Sequence, residues 1–378
     1  MKNIYFDNAA TTPLLPEVLE IIRKTLVNNY GNPSSIHKDG IAARSIIEEN
    51  RRIISTSLNC STSNIIFTAS GTEASNLFFY NAIFKLGVKR IITSSVEHPC
   101  VLNTAKFYAE RYNVQLDFVK LSIDYTYDLN HLHELLKFND SLCLVSLMHV
   151  NNEIGLSNNI IALSKLVKTH NAYLHIDTVQ SIGFSNIDTS ALDVDFLNAS
   201  AHKFYGPKGI GFAYLKEPGL IESQIFGGGQ ERNIRSGTEN IGGIAGIGSA
   251  LQYMEQNRSE INNHLRSINE YFRSELNKLP LKIEPIITDY NLSSPKILTV
   301  VFPHFKGSDL LVANLDIHGI SASGGSACSS GTEKASHVLQ FIKPNEKGKI
   351  IRFSFSIFNT IEEVDICINV LRTIFKKI

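Results

Sequence analysis

Leu197-Asn198-Ala199-Ser200-Ala201-His202-Lys203-Phe204-Tyr205-Gly206-Pro207-Lys208-Gly209-Ile210-Gly211 is the stretch from which the rest of the chain can be read. It grows out of Val194-Asp195-Phe196-Leu197, an apolar, β-like run, and gives way to small and polar residues, so Lys203 is expected just beyond a strand end. The glycines and the proline that follow demand a tight turn, and residues 210–215 then read as a strand returning into the core. A lysine fixed at such a place can carry out amine chemistry. A loop lysine taken alone is more often simply solvated, so the argument depends on the stretches around it.

Moving outward, apolar runs at residues 90–93, 142–147, 172–176 and 194–197 alternate with helical patterns. Such alternation predicts an α/β fold with a mostly parallel sheet and helices on both faces. Ligands of such sheets gather beyond the carboxyl ends of the strands. Glu97-His98-Pro99, Asn151-Asn152-Glu153, Asp177-Thr178-Val179-Gln180 and Ser200-Ala201-His202-Lys203 each follow one of those runs. Any one of them reads as ordinary turn chemistry, but four at successive strand ends read as a site.

A further short run, residues 65–68, stops at Ala69-Ser70-Gly71-Thr72-Glu73 before a helical pattern. Strand, small-residue turn and helix N-terminus together make an anion site, because free N–H groups and the positive end of the dipole converge there. Ser70 and Glu73 also match a capping box. Ser-Gly-Thr-Glu recurs at residues 236–239 and 330–333 in different surroundings, which predicts three helix starts of one local chemistry rather than an internal repeat.

At the ends, residues 1–13 read as an arm, residues 17–27 as a helix, residues 31–35 as a turn, and a second helix begins near Gly40. A long helical pattern from Ile241 is expected to bridge two domains. The division expected is a large domain over residues 14–255 and a small α+β domain formed by residues 1–13 and 256–378.

The 378 residues leave room for two domains and a sizeable core. With 43% hydrophobic and 19% charged residues the composition is that of an ordinary globular protein. Lysine plus arginine balance aspartate plus glutamate at 36 each, leaving no net field to attract DNA or an anionic membrane, so a small-molecule ligand is expected. No apolar run approaches the roughly 18 residues of a membrane span, and the N-terminal residues lack the apolar core of a secretory signal, so a cytoplasmic setting is expected. Cys60, Cys100, Cys143, Cys328 and Cys367 are odd in number and scattered, without a Cys-x-x-Cys pair. This speaks against a disulfide framework and against a metal site.

A lysine amine, a carboxylate at a neighbouring strand end and a phosphate site at a helix start are the parts that hold pyridoxal phosphate. Lys203 would form the Schiff base, and Asp177 would pair with the pyridine nitrogen and keep it protonated. Asn152 and Gln180 would hydrogen-bond the ring hydroxyl, His98 would lie against the ring, and Gly71, Thr72, Ser200 and His202 would serve the phosphate.

Asp177-x-x-Gln180, Ser200-Ala201-His202-Lys203, His98-Pro99 and Arg235-Ser236-Gly237-Thr238 together resemble a cysteine desulfurase. The resemblance runs from Phe6-Asp7-Asn8-Ala9-Ala10-Thr11-Thr12-Pro13 through Gly31-Asn32-Pro33 to Ile351-Arg352-Phe353-Ser354. It implies an aspartate aminotransferase-type (fold type I) pyridoxal-phosphate enzyme, a homodimer in which Thr238 reaches the phosphate in the partner subunit. It also implies that Arg352, helped by Asn32, grips the carboxylate of L-cysteine. Cys328 lies in Gly324-Gly325-Ser326-Ala327-Cys328-Ser329-Ser330-Gly331, a run of small residues unable to bury a core. In the long-loop branch that this spacing resembles, such a cysteine takes substrate sulfur as a persulfide, releases alanine and hands the sulfur to an acceptor protein, with an iron–sulfur cluster held at Cys328 during transfer. The other four cysteines read as inert buried residues. The competing readings are a selenocysteine lyase or another aminotransferase-type enzyme, and a catalytically silent relative kept as a scaffold. The departures from the family pattern are Ala69-Ser70 in the phosphate turn, Ser356-Ile357 in place of a Gly-Arg pair, and an end at Lys376-Lys377-Ile378 without the tail that some relatives use to hold a scaffold protein.

Overall fold

The structure is a computed structural model that describes residues 3–138, 141–324 and 336–376. In chain order its elements begin with β1 (Ile4–Tyr5), α1 (Pro16–Asn28), α2 (Lys38–Ser57), β2 (Ile65–Thr68), α3 (Gly71–Phe84), β3 (Arg90–Thr93), α4 (Pro99–Tyr112) and β4 (Gln115–Phe118). The middle of the chain forms α5 (Leu129–Lys137), β5 (Cys143–Met148), α6 (Ile160–Val167), β6 (Ala172–Asp177), β7 (Phe196–Ser200) and β8 (Gly211–Leu215). Then come α7 (Ile241–Leu276), β9 (Glu284–Pro285), β10 (Ile297–Phe302), α8 (Leu311–Ile317), β11 (Ile320–Ser321), α9 (His337–Ile342), β12 (Lys349–Ser354) and α10 (Ile361–Phe375).

Seven strands make one sheet in the order β2-β8-β7-β6-β5-β3-β4. The pairings from β7 through β6, β5 and β3 to β4 are parallel, and β8 runs antiparallel to both of its neighbours. Every residue of β5, β7 and β8 is buried, which is why those strands read as near-continuous apolar runs instead of alternating ones. The fold is the expected α/β fold, with a strand that reverses at one side.

Two local readings are corrected. The strand leading to Lys203 begins at Phe196, not Val194. Asp195 is occupied outside the ladder, accepting the Leu174 N–H at 2.7 Å and pairing with Lys168 at 2.5 Å. Of the three Ser-Gly-Thr-Glu segments, the one at residues 70–73 opens a helix, but residues 236–239 do not: α7 starts after them and is capped by Asn240, whose Oδ1 accepts the Gly243 N–H at 3.0 Å. Gly237 sits at φ 105°, a conformation incompatible with a helix start. The third segment, residues 330–333, lies outside the described residues, as does Cys328.

The N-terminal arm joins the far end of the chain. β1 pairs with β11, Asp7 bridges to Ser354 at the end of β12, and β12 pairs with β10 in a three-stranded sheet with β9. Phe6 packs between Phe272 of α7 and Phe353 and Phe355, with centroids 5.5 to 6.3 Å away. The 36-residue α7 therefore reaches from the large sheet to this smaller one without a break.

Beneath β2, Arg51 of α2 meets Glu231 in a two-point ion pair at 2.7 and 2.8 Å, with both side chains 3% exposed. Glu231 also accepts the Phe67 N–H at 2.8 Å. Glu231, Arg232 and Asn233 all have positive φ, at 45°, 58° and 65°. Such a run costs on the order of 1–3 kcal/mol per residue and persists only where surrounding contacts over-determine it. Glu231→Gln leaves the buried Arg51 with only the half-exposed Glu48, 3.1 Å from its Nε, as counter-charge, and urea unfolding should show a loss of up to roughly 3–5 kcal/mol; a loss under about 1 kcal/mol would show that the pair does not hold this loop.

Candidate active site

The carboxyl ends of β5, β6 and β7 open on a cavity of about 260 Å³. Lys203, Asp177, Gln180, His98, Asn152, Ser200, His202, Gly71, Thr72 and Arg352 all line it. Register explains the convergence: Met148 lies opposite Asp177 and Asp177 opposite Asn198, so each parallel strand ends at one level and delivers its next residues to the same rim.

Lys203 ends a short 3₁₀ turn over residues 201–203, and its Nζ donates to the carbonyls of Ala9 at 2.9 Å and Ala10 at 2.7 Å. The arm thus supplies main-chain acceptors that no side-chain pattern announces. On the opposite rim, Ser70 caps α3 through the Glu73 N–H at 3.2 Å, while Glu73 accepts the Ala69 N–H and pairs with Arg235, both at 2.9 Å. The Gly71 N–H reaches Ser200 Oγ at 3.3 Å. Glycine is needed here: a Cβ on Gly71 would come within 2.6 Å of Val179, and one on Gly211 within 2.3 Å of the Ala199 carbonyl and 2.9 Å of Ser70 main chain. The turn lies directly on the sheet, with the N-terminus of α3 facing the cavity.

Asp177 is buried, and burial pushes its carboxyl up to about 6 against the Val179 N–H, Asn198 and the charge of Lys203, which favour the anion. His98 is pushed down to about 4, first by burial and then by Lys203 and His337. Its Nδ1 accepts the Cys100 N–H at 3.2 Å as the cap of α4, which assigns the proton of the neutral ring to Nε2. His202 is pushed down to about 3 by burial, then by Lys203, Lys296 and Lys208. Arg352 donates to the Asn152 carbonyl and to Asp7, both at 2.7 Å, and among the described residues its buried Nε has no partner.

These residues fit pyridoxal phosphate. An amine that can bond it covalently, a carboxylate for the ring nitrogen and a helix N-terminus for the phosphate surround one cavity. Gln180 brings a buried Oε1 that lacks a partner while its Nε2 is held by Ala9.

Other expected residues stand elsewhere. Thr238 lines a separate cavity of about 130 Å³ with Arg235 and Glu231. Asn32 does not line the Lys203 cavity; it is exposed and its Oδ1 accepts the Ser34 N–H at 2.9 Å. Glu97 follows β3 as expected but bonds Tyr127 at 2.7 Å behind the cavity, and burial raises its carboxyl well above the usual range. Cys100 proves to line the cavity, its Sγ 3.0 Å from His98 Nδ1. Burial pushes the thiols of Cys60, Cys100, Cys143 and Cys367 up, to about 12 for Cys60 and about 11 for Cys143, so all four are poor nucleophiles. The sequence reading overlooked Lys296, whose Nζ donates to the Lys203 carbonyl at 2.7 Å. The only trace of it is a lysine abutting the apolar run of β10.

The chain belongs to the class-V aminotransferase family, whose pattern matches residues 4–367. Within that family it is most like cysteine desulfurases. It is 37% identical to the cysteine desulfurase IscS of Dictyoglomus turgidum, over the whole of this chain and 95% of that one. It is 36% identical to the putative cysteine desulfurase IscS 1 of Bacillus subtilis over 96% of each chain. A solved structure of a NifS-like protein superimposes over the full length of both chains with a TM-score of 0.91 and 33% identity.

The histidines make stability depend on pH. His98 and His149 titrate near 4 and His175 and His202 near 3 in the folded chain, against about 6.5 when unfolded. Below about 6.5 the unfolded chain binds their protons first, so this stability is present above 6.5 and is lost as pH falls toward 4. Asp177 and Glu97, both raised, act in the opposite sense: they stabilise at low pH and lose that contribution as pH rises through their folded values. Four groups outweigh two, so unfolding of the cofactor-free protein at pH 5 should take up about two protons, and its urea midpoint should fall between pH 7 and pH 5. A midpoint that holds or rises over this interval would contradict the neutral assignments.

Proposed function

We propose that this chain is a pyridoxal-phosphate-dependent cysteine desulfurase that converts L-cysteine to L-alanine and keeps the sulfur as a persulfide on Cys328. The supporting observation is the cavity that brings Lys203, Asp177 and the N-terminus of α3 together in a chain related end to end to cysteine desulfurases. When bound, pyridoxal phosphate supplies an electron sink for the bonds around the amino-acid Cα. Lys203 would hold it through Nζ, Asp177 would keep its ring nitrogen protonated, and Gly71, Thr72, Ser200 and His202 would take the phosphate. Asn152 and Gln180 would meet the ring hydroxyl, and neutral His98 would lie against the ring.

Arg352 orients the substrate carboxylate, and its buried position on β12 keeps the guanidinium fixed. The Lys203 amine would be the base that moves protons at the substrate carbons. The thiolate of Cys328 then takes the sulfur: the substrate C–S bond breaks, an S–S bond forms, and cysteine plus enzyme thiol become alanine plus enzyme persulfide without an external oxidant. Delivery to a sulfur-acceptor protein, with an iron–sulfur cluster held at Cys328 during transfer, completes the role.

A homodimer fits this reading. Thr238 stands in its own cavity and would serve a phosphate only across a subunit interface, and the same holds for Asn32 toward the substrate. Around α1 the chain exposes Leu19, Leu26, Val27, Tyr30 and Ile36, the last 93% exposed, an apolar surface that a second copy would cover. The division into residues 14–255 and residues 1–13 with 256–378 is retained as a proposal, with α7 crossing it. Among the described residues no helix is long and apolar enough to cross a membrane, and the unpaired thiols suit the cytoplasm.

Purified protein given cysteine and a reductant should release sulfide and alanine in equal amounts. Cys328→Ala should lower sulfide release at least roughly 100-fold while the cofactor stays bound. Undiminished cysteine turnover in that variant would remove Cys328 from the mechanism, and absence of both products from cofactor-loaded protein would favour a silent scaffold.

A further inference from the structure

Lys296 is a buried cation beside Lys203 that the proposed chemistry leaves unused. It immediately precedes β10, is 1% exposed, and donates from Nζ to the Lys203 carbonyl at 2.7 Å. The same Nζ stands 4.6 Å from the centroid of the Phe184 ring. Among the described residues it meets a carbonyl and an aromatic face but no carboxylate, and the nearby carboxylate of Asp7 is taken by Arg352. A buried lysine with no counter-ion is costly. Here its hydrogen bond ends on the main chain of the residue proposed to hold the cofactor.

We infer that Lys296 is a positioning residue for Lys203: it pins the carbonyl of the lysine turn and places a second amine behind the one that bonds the cofactor. This rests on the assignment of pyridoxal phosphate to Lys203. The two amines are coupled, so a proton on either disfavours a proton on the other. Burial, then Lys203 and Arg352, press Lys296 below the ordinary lysine range, while the carbonyl and the ring favour its charged form. The groups facing Lys203 from other elements are Asp177 at the end of β6 and His98 at the start of α4, with His202 in its own turn and Arg352 on β12. Of these, Asp177 draws a proton toward Lys203, Arg352 opposes it, and His98 and His202, being neutral, do neither. Lys296 therefore keeps the proton affinity of the Lys203 nitrogen low.

The test is a visible-absorbance titration of cofactor-loaded full-length protein without substrate, read as the pH midpoint of the group bonded to Lys203. Lys296→Met keeps the apolar stem and removes the charge, and its midpoint should rise by about one pH unit. Lys296→Arg should restore the parent midpoint. Lys296→Gln, which keeps a donor for the carbonyl but no charge, should show the same rise and decides the matter if the methionine variant does not fold by circular dichroism. An unchanged midpoint in a folded uncharged variant, or a rise that arginine does not reverse, overturns the inference. A parent protein that binds no cofactor at Lys203 would instead sink the functional reading on which it rests.

Discussion

Thr12 holds the lysine turn from outside the sheet. Its N–H and Oγ1 both donate to the His202 carbonyl, at 2.8 and 3.1 Å, and the same Oγ1 accepts the Tyr205 N–H at 2.7 Å. The Leu15 N–H takes the Tyr205 carbonyl, and Lys296 takes that of Lys203. A 3₁₀ turn this short cannot satisfy its own carbonyls. Because its partners come from the N-terminal arm and from the edge of β10, the direction in which Lys203 points is set by segments far from it in sequence. The arm in turn is fixed by β11 and by Ser354, so the smaller sheet reaches the lysine through two independent sets of bonds.

The large sheet was legible because its strands are buried on both faces, and apolar runs with polar residues just beyond them leave a plain trace. Lys203, Asp177, Gln180, His98, Asn152 and Arg352 were found that way or through the family pattern, and all line one cavity. What the chain pattern hid was anything carried by main chain or by long-range pairing. The carbonyls of Ala9 and Ala10 have no side-chain signature, and Lys296 looks like any lysine beside a strand. Arg51 and Glu231, 180 residues apart, meet only because a left-handed loop returns beneath β2. The Ser-Gly-Thr-Glu reading failed at residues 236–239 for a related reason: the motif encodes a cap where the following backbone is helical, and Gly237 and the Arg235–Glu73 pair hold that segment in another path. Short capping motifs specify a possibility that tertiary contacts then accept or refuse.

Cys100 shows the limit of reading reactivity from placement. It lines the cavity and touches His98, which by position alone would make it a candidate nucleophile. Burial is the first cause of its raised thiol, and the carboxylates of Asp177 and Glu97 add to it against weaker help from Ser75 and Thr72. A thiol held in that form cannot compete for substrate sulfur. Position and protonation therefore separate: Cys100 lies in the cavity, in the first turn of a helix capped by His98, and yet its thiol is held in the unreactive form.

A chain with equal numbers of acidic and basic residues still gathers lysine and arginine around one cavity. Lys203 and Arg352 both act on Lys296, and burial first, then Lys203 at both histidines with Lys296 and Lys208 at His202, drives His98 and His202 toward the neutral form. Asp7 offsets Arg352, and Asp177 lines the same cavity as Lys203. The cations and the Asp177 carboxylate are thus set at separate points of one cavity. In so enclosed a space this separation matters more than net charge, because interactions among buried groups are weakly screened. Burial first and then the charge of Lys203 keep His98 neutral, the form that the proposed contact with a cofactor ring requires.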